Sequence, residues 1–343
     1  MVKPVISVII PTYNRRATLA KVLAAYYHQN LPEPYEIIVV DDASSDATTT
    51  LIEQWQYQMP HLKLITLNHN RGPAHARNRG LQVAIGDIIL FTGDDIIPSP
   101  NFLSRHLYLN RKYNARHVAI LGKITWLDSI PVTTVMKHID GVGAQQFSFH
   151  YLQDGQDIDF RHFYTSNISI SHNFLLEESY AFDENFPHAA FEDVDLGYRL
   201  SRRGLVIRYH STPLAFHDHH HTLDTFFKRQ YIAGKMAIHL TQKFFELAYS
   251  IQVERFYNLL GDATRQTSQE VLQGNLETRF QEKLIHNTYH HHPDLDTLYA
   301  HFFDYAYFKG MFTAIAPKNQ LRVGTNILAH KILHPWLPVL HNL

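Results

Sequence analysis

The 343-residue chain contains no cysteine. Disulfide frameworks, thiolate metal sites and cysteine nucleophiles are therefore excluded together, and the composition fits a reducing compartment. Net charge is almost absent as well, since 31 Lys and Arg against 32 Asp and Glu leave −1. The clustered positive charge that a nucleic-acid polymer requires is missing, although a single nucleotide needs no such field. No apolar run reaches the roughly 18 to 20 residues that span a bilayer. Met1-Val2-Lys3-Pro4 leads into a strand-like segment without the parts of a signal peptide. The expectation is a cytoplasmic protein that at most touches a membrane surface. Internal repeats and low-complexity tracts are missing too. With 45% hydrophobic and 18% charged residues, the chain has the balance of a folded protein and the length for one large α/β domain with an appendage, or for two small domains. Its histidines are scattered, and His290-His291-His292 is followed by ordered-looking sequence and does not read as a tag.

What is present is an alternation. Val5 to Ile10, Ile37 to Val40 and Ile88 to Phe91 are nearly continuous apolar runs, the pattern of strands buried on both faces, with Leu62 to Leu67 a weaker fourth. Helical patterns lie between them, over Ala17 to His28, Ala47 to Gln58 and Pro73 to Val83. Strand and helix at this spacing predict a parallel sheet with right-handed crossovers. Ser99-Pro100 predicts an N-cap followed by Pro at the first position of a helix running to about Tyr113. Ile120 to Trp126 reads as a further strand, and Ser129 to Phe163 as long connections. Phe191 to Arg203 predicts a helix with acids in its first turn and arginines in its last, stopped by Gly204, with a short strand, Leu205 to Tyr209, after it. From Leu223 onward almost everything reads as helix.

Chemistry collects at the strand ends. Phe91-Thr92-Gly93-Asp94-Asp95-Ile96 sets two adjacent carboxylates at the C-terminal end of an apolar strand, where ligands of open parallel sheets bind. A polar turn capping the next helix is the plain alternative. Asp41-Asp42 ends the second strand in the same way, and Pro11-Thr12-Tyr13-Asn14 ends the first. One rim thus offers a hydroxyl, an aromatic ring able to stack on a base, and acids able to accept from an imide N–H.

Ser7-Val8-Ile9-Ile10-Pro11-Thr12-Tyr13-Asn14, Val39-Val40-Asp41-Asp42-Ala43-Ser44, Arg71-Gly72-Pro73-Ala74-His75-Ala76-Arg77-Asn78-Arg79-Gly80 and Gly93-Asp94-Asp95 resemble the motifs of family 2 glycosyltransferases in order and spacing. Phe163-Tyr164-Thr165-Ser166-Asn167 and the segment from Phe191 to Leu200 extend the likeness to about residue 240. The resemblance implies a GT-A-like α/β fold with a mostly parallel central sheet over residues 1–240, nucleotide-binding up to residue 115 and acceptor-facing and catalytic from 116, followed by a helical C-terminal region, 241–343. It implies that Thr12, Tyr13 and Asp41 hold the base, that Arg77 and Asn78 help seat the nucleotide, and that Asn167 lies near donor sugar and acceptor. Asp95 corresponds to the metal-binding acid of the family's DxD motif and Asp94 to its middle position. The first acid is replaced by Gly93, so contacts it would supply must come from Asp94, water or elsewhere. His217 resembles the family's histidine after the late strand, with His219, His220 and His221 making its register ambiguous.

The activity so implied is inverting, metal-dependent, hexosyltransferase-like transfer from a nucleoside diphosphate sugar, UDP favoured, to an acceptor hydroxyl in polysaccharide, glycolipid or other glycoconjugate synthesis. Mn²⁺ or Mg²⁺ would offset charge on the leaving diphosphate. Asp193 is the expected base, Glu192 its main competitor and Asp195 a weaker one. A retaining transferase, a nucleotidyltransferase or a non-catalytic sugar-nucleotide-binding subunit remain as alternatives. In the tail, Leu328, Ile332, Leu333 and Trp336 either face a membrane or partner, or pack back onto the protein, and Pro335 and Pro338 limit any continuous amphipathic face to roughly Leu321 to His334.

Overall fold

The computed structural model describes residues 2–147, 149–186, 188–261, 276–286, 292–316 and 321–341, so His290 and His291 lie outside the described residues. Its strands are β1 (Ile6–Thr12), β2 (Tyr35–Asp41), β3 (Leu62–Thr66), β4 (Ile88–Thr92), β5 (Ile96–Pro98), β6 (Val118–Trp126), β7 (Asp157–Ile158), β8 (Asn167–Ser171) and β9 (Val206–His217). The helices are α1 (Arg16–Tyr27), α2 (Thr48–Gln56), α3 (Pro73–Val83), α4 (Phe102–Tyr113), α5 (Thr134–Asp140), α6 (His172–Leu175), α7 (Glu192–Ser201) and α8 (Leu223–Lys243). They continue with α9 (Val253–Gly261), α10 (Leu276–His286), α11 (Leu295–Ile315), α12 (Leu321–Leu333) and α13 (Leu337–His341). Two compact units are distinguished, Met1–Ile130 with Tyr151–His219, and Pro131–His150 with His220–Leu343.

The first unit is a sheet ordered β3-β2-β1-β4-β8-β6-β9-β5, with β7 on β9. β1 pairs in parallel with β2 and β4, and β2 with β3, as the apolar runs predict. The core residues Val8, Ile9, Ile10, Ile37 to Val40 and Ile89 to Phe91 are all fully buried. Helix α3 begins with the predicted proline and lies so close to the sheet that a Cβ on Gly80 would stand 2.6 Å from Ile9 Cγ2. β8 runs antiparallel between β4 and β6, while β9 returns to the parallel sense beside β6.

Several boundaries differ from expectation for identifiable reasons. Helix α4 starts at Phe102 after Asn101, because Ser99 is still extended and gives its N–H to Leu214 O at 3.0 Å. The strand expected over Leu205 to Tyr209 is the first part of β9, whose length comes from pairing with β6, β5 and β7. Within Ser129 to Phe163 lies α5, capped by the Thr133 hydroxyl accepting from Met136 N–H at 3.2 Å. Gly204 does end α7, in the left-handed region at φ 90°.

The second unit is built around α8 and α11. Helix α8, placed with the first domain on sequence grounds, packs in this unit. The two helices touch backbone to backbone: a Cβ on Gly234 would stand 1.8 Å from Tyr307 O, and one on Gly310 2.0 Å from Tyr231 O. Phe226 meets Phe303 edge-on at 4.8 Å beside this crossing. In the tail, Leu328, Ile332, Leu333 and Leu340 are buried and Trp336 stacks on His301 at 4.3 Å, so these residues pack within the unit. Among the described residues no helix is long and apolar enough to cross a membrane. Because no side chain fits at the crossing, Gly234→Val should destabilise this unit by about 3 kcal/mol. Calorimetric unfolding would register this as a lowered midpoint, and an unchanged midpoint would contradict the close approach.

Candidate active site

The strand order reverses between β1 and β4, the place where ligands of open α/β sheets bind. Thr12, the last residue of β1, donates its hydroxyl proton to Asp94 Oδ2 at 2.8 Å. Asp41, the last residue of β2, is fully enclosed; it accepts from Ser44 N–H at 3.0 Å and from the Thr49 hydroxyl at 2.7 Å. The turns after these strands are tied together: Asn14 N–H donates to Ser44 Oγ, and Ser45 N–H to Asn14 Oδ1, both at 2.8 Å. They hold Ala43 in the left-handed region, at φ 66°, a strained conformation for alanine. Tyr13 stays 47% exposed on the same rim.

Backbone pairing of β5 with β9 assembles the next group. Ile96 lies opposite His217, and Asp218 N–H donates to Asp95 O at 2.8 Å. Asp95 Oδ2 consequently stands 3.6 Å from His217 Nε2 and 3.7 Å from His219 Nδ1. Among the described residues these three form the group able to hold a metal ion, with ligand atoms within 4.8 Å of one another. The His217 ring is stacked between Trp126 and His219, each at 5.4 Å. Arg15 Nη1 donates to Asp95 Oδ2 at 3.3 Å and lies 3.3 Å from His219 Nδ1. Burial opposes ionisation of Asp95, yet His217, Arg15 and His219 hold its carboxyl down to about 2. Burial and the Asp95 charge push Asp94 up to about 7. One carboxylate oxygen and two imidazole nitrogens fit a divalent cation, and suit Mn²⁺ better than Mg²⁺. A Cβ on Gly93 would stand 3.0 Å from Asp95 Oδ1, so a side chain there would crowd the ligand acid.

A third group surrounds the start of α7. Arg77 Nη1 donates to Glu192 Oε1 at 2.9 Å, with both side chains buried. Asp193 accepts from Val194 N–H at 2.8 Å, and burial together with the Glu192 charge pushes its carboxyl up to about 7. Phe191, just before them, is left-handed at φ 66° and accepts from Asp195 N–H at 2.8 Å. Asn78 holds Phe182 by both backbone groups, donating to its oxygen at 2.8 Å and accepting from its N–H at 3.0 Å.

Asn167 is enclosed among strands. It accepts from His106 Nε2 at 2.8 Å and donates to Lys123 O at 3.0 Å and Pro213 O at 2.9 Å. These carbonyls flank the register shift between β6 and β9, and a Cβ on Gly122 would collide with the Asn167 amide at 2.4 Å. Burial depresses His106 to about 4, so it is a neutral ring, hydrogen-bonded also to Ser169 Oγ at 2.8 Å.

The structure therefore joins Thr12 to Asp94, Asp95 to His217, and Arg77 to Glu192, while the side chains of Asn78 and Asn167 are engaged by the protein's own backbone. Arg15, His219 and Glu184 join these groups without having been singled out as site residues. Glu184 accepts from His75 Nδ1 at 2.7 Å, Arg71 Nη2 at 3.1 Å and Asn78 Nδ2 at 3.0 Å. The tyrosine-asparagine-arginine run after β1 was the signal available for Arg15, and the histidine cluster was the one for His219.

The sheet order and these strand-end acids define a GT-A glycosyltransferase fold. S. aureus TarS 1-349, solved with UDP, superposes with a TM-score of 0.53 at 18% identity, over 97% of this chain and 91% of that one. The same protein with UDP-GlcNAc gives 0.51 at 18% identity, over 87% and 90%. Residues 7–139 match the family model of glycosyl transferase family 2. It is 26% identical over 257 residues to the uncharacterized glycosyltransferase YfnE of Bacillus subtilis, covering 62% of this chain and 64% of that protein. Identity to the hyaluronan synthase of Pasteurella multocida is 27% over 239 residues, 62% of this chain and 24% of the synthase. The chain thus spans less than two thirds of these relatives.

If Asn167 serves chiefly as a strut, Asn167→Ala should cost about 3 kcal/mol through the polar groups it leaves buried and unmet. Thermal unfolding measured beside UDP affinity checks this. Lost donor affinity at unchanged stability would instead make it a ligand contact.

Proposed function

We propose that the protein transfers a sugar, with inversion, from a nucleoside diphosphate sugar to an acceptor hydroxyl, using a divalent cation. The observation carrying this reading is the Asp95, His217 and His219 group beside Thr12 and Asp94 at the strand-order reversal. UDP is favoured because S. aureus TarS, of the same fold, was solved with UDP and UDP-GlcNAc. Synthesis of a polysaccharide or other glycoconjugate is the context suggested by the Pasteurella multocida synthase. Residues 1–115 would hold the donor: Tyr13 stacks on the base, Asp41 fixes the turn after β2 beside it, and Asn78 and Arg77 tie α3 to the later segments at Phe182 and Glu192.

Asp95, His217 and His219 would hold Mn²⁺ or Mg²⁺. When bound, that ion offsets the negative charge gathering on the diphosphate as the sugar departs. Asp95 is ionised for this purpose at any physiological pH, given its low carboxyl. Asp193 belongs to a different element and is not part of the group that would hold the metal. With its carboxyl near 7 it is matched to accept the proton of the acceptor hydroxyl as oxygen attacks the face of the sugar opposite the leaving group. Asn167 acts on donor and acceptor through the strand ends it fixes.

A hydrolysis screen of UDP-, GDP- and dTDP-sugars with Mn²⁺ tests the reading as a whole, and turnover of none would overturn it. Asp95→Asn should abolish metal-dependent UDP affinity in calorimetry while the fold persists. Undiminished affinity would exclude Asp95 as a ligand. Asp193→Asn should lower turnover by about 10²- to 10⁴-fold with nearly unchanged UDP affinity. In the wild type, the rate should rise with pH up to about 7, as the carboxyl loses its proton, and then level off.

A further inference from the structure

Helix α3 reaches the start of α7 through consecutive side chains. Asn78 fixes the backbone of Phe182, and Arg77 pairs with Glu192, 115 positions away in the chain. The guanidinium carbon also lies 5.4 Å from the centre of the Phe182 ring. Neither member of the pair is fully satisfied, since Arg77 Nε and Glu192 Oε2 are buried without a hydrogen-bond partner among the described residues. A buried ion pair contributes little net stability, because desolvating two charges offsets their attraction. Its position suggests a different use. Glu192 adjoins Asp193, and two ionised carboxylates side by side repel. Other charged groups on and near α7 have partners of their own: Asp195 and Glu178 with Arg199, Arg203 with Glu177 and Glu178, Asp159 with Arg161 and His162, Glu184 with His75 and Arg71, Asp183 with Asn185, and Arg202 with the Tyr198 ring.

We infer that Arg77 is a positioning residue for proton transfer: by neutralising Glu192 and holding it against α3, it lets Asp193 carry the charge of a base at neutral pH. The inference rests on the role proposed for Asp193. It gives Arg77 a place at α7 rather than on the nucleotide, where the family resemblance would seat it. The sign follows from the charges. Removing the Arg77 cation makes Asp193 harder to ionise, and removing the Glu192 anion makes it easier.

The test compares Arg77→Gln, Arg77→Lys, Glu192→Gln and the Arg77→Gln/Glu192→Gln double variant. Each is followed by UDP release from the sugar nucleotide found in the screen, as a function of pH, and by calorimetry with UDP and Mn²⁺. In Arg77→Gln the acid limb of the pH profile should move up by about one pH unit, with the rate recovering above it and UDP affinity nearly unchanged. Arg77→Lys should restore most of the limb, Glu192→Gln should move it down, and in the double variant the two shifts should offset. An unmoved limb with UDP affinity weakened tenfold would overturn the inference and return Arg77 to the nucleotide. If Arg77→Gln leaves Glu192 too costly to bury and does not fold, the double variant compared with Glu192→Gln decides: identical limbs would overturn the inference. Near-normal turnover in Asp193→Asn would refute the base assignment itself, whatever the Arg77 variants show.

Discussion

Two charges about 4 Å apart repel by about 4 kcal/mol at the effective dielectric of a protein surface. Beside Asp41-Asp42, which N–H and hydroxyl groups satisfy, this chain encloses adjacent carboxylates at two places, Asp94-Asp95 and Glu192-Asp193. Each pair persists because the fold delivers cationic or dipolar groups from far away in sequence: Arg15, His217 and His219 to the first, Arg77 to the second. The outcome is similar at both places. Asp95 is held as an anion, and Asp94 and Asp193, each beside a second carboxylate, are pushed up to about 7. One pair thereby offers a permanent negative ligand, and the other a group able to exchange a proton near neutrality.

Delivering His217 to Asp95 depends on the far side of the sheet. β9 runs parallel to β6 for five residues, slips register, and only then reaches Trp126 and β5. The slip would leave carbonyls of Lys123 and Pro213 unmet, and the Asn167 amide bonds both. Gly122 makes room for that amide, and neutral His106 holds its oxygen. A polar strut beneath the strand ends therefore sets the position of a histidine it does not touch.

What was legible in the sequence follows the same division between local and distant causes. The apolar runs of β1, β2 and β4, the proline opening α3 and the acids ending two strands are all local patterns, and the structure contains them. β8 and the extent of β9 were not legible as strands, because antiparallel insertion and a register slip are properties of partners rather than of the segment. The crossing of α8 and α11 was equally hidden: Gly234 and Gly310 lie 76 positions apart by their numbering, and neither alone announces a contact. Arg15 has the same difficulty at the site, since its partners Asp95 and His219 lie 80 and 204 positions away. The chemistry of each residue type could be read from the sequence, but its destination could not.

That division also explains why several polar residues at the rim do not present open hydrogen-bonding groups. Asp41 is held by Ser44 and Thr49, Asp42 by the N–H groups of Arg71 and Gly72, Asn78 by Phe182, and Asn167 by His106 of α4 and two carbonyls of the sheet. Side chains so engaged cannot reorganise when a ligand arrives. This favours catalysis by position, because donors and charges fixed before reaction cost nothing to orient during it. The adaptable part of the rim is correspondingly small: the half-exposed Tyr13 ring, the Arg15 guanidinium and the partly exposed His219. These three lie on the segments that follow β1 and β9, where Arg15 Nη1 stands 3.3 Å from His219 Nδ1. A cation held by Asp95, His217 and His219 would compete with the Arg15 guanidinium, which stands 3.3 Å from Asp95 Oδ2.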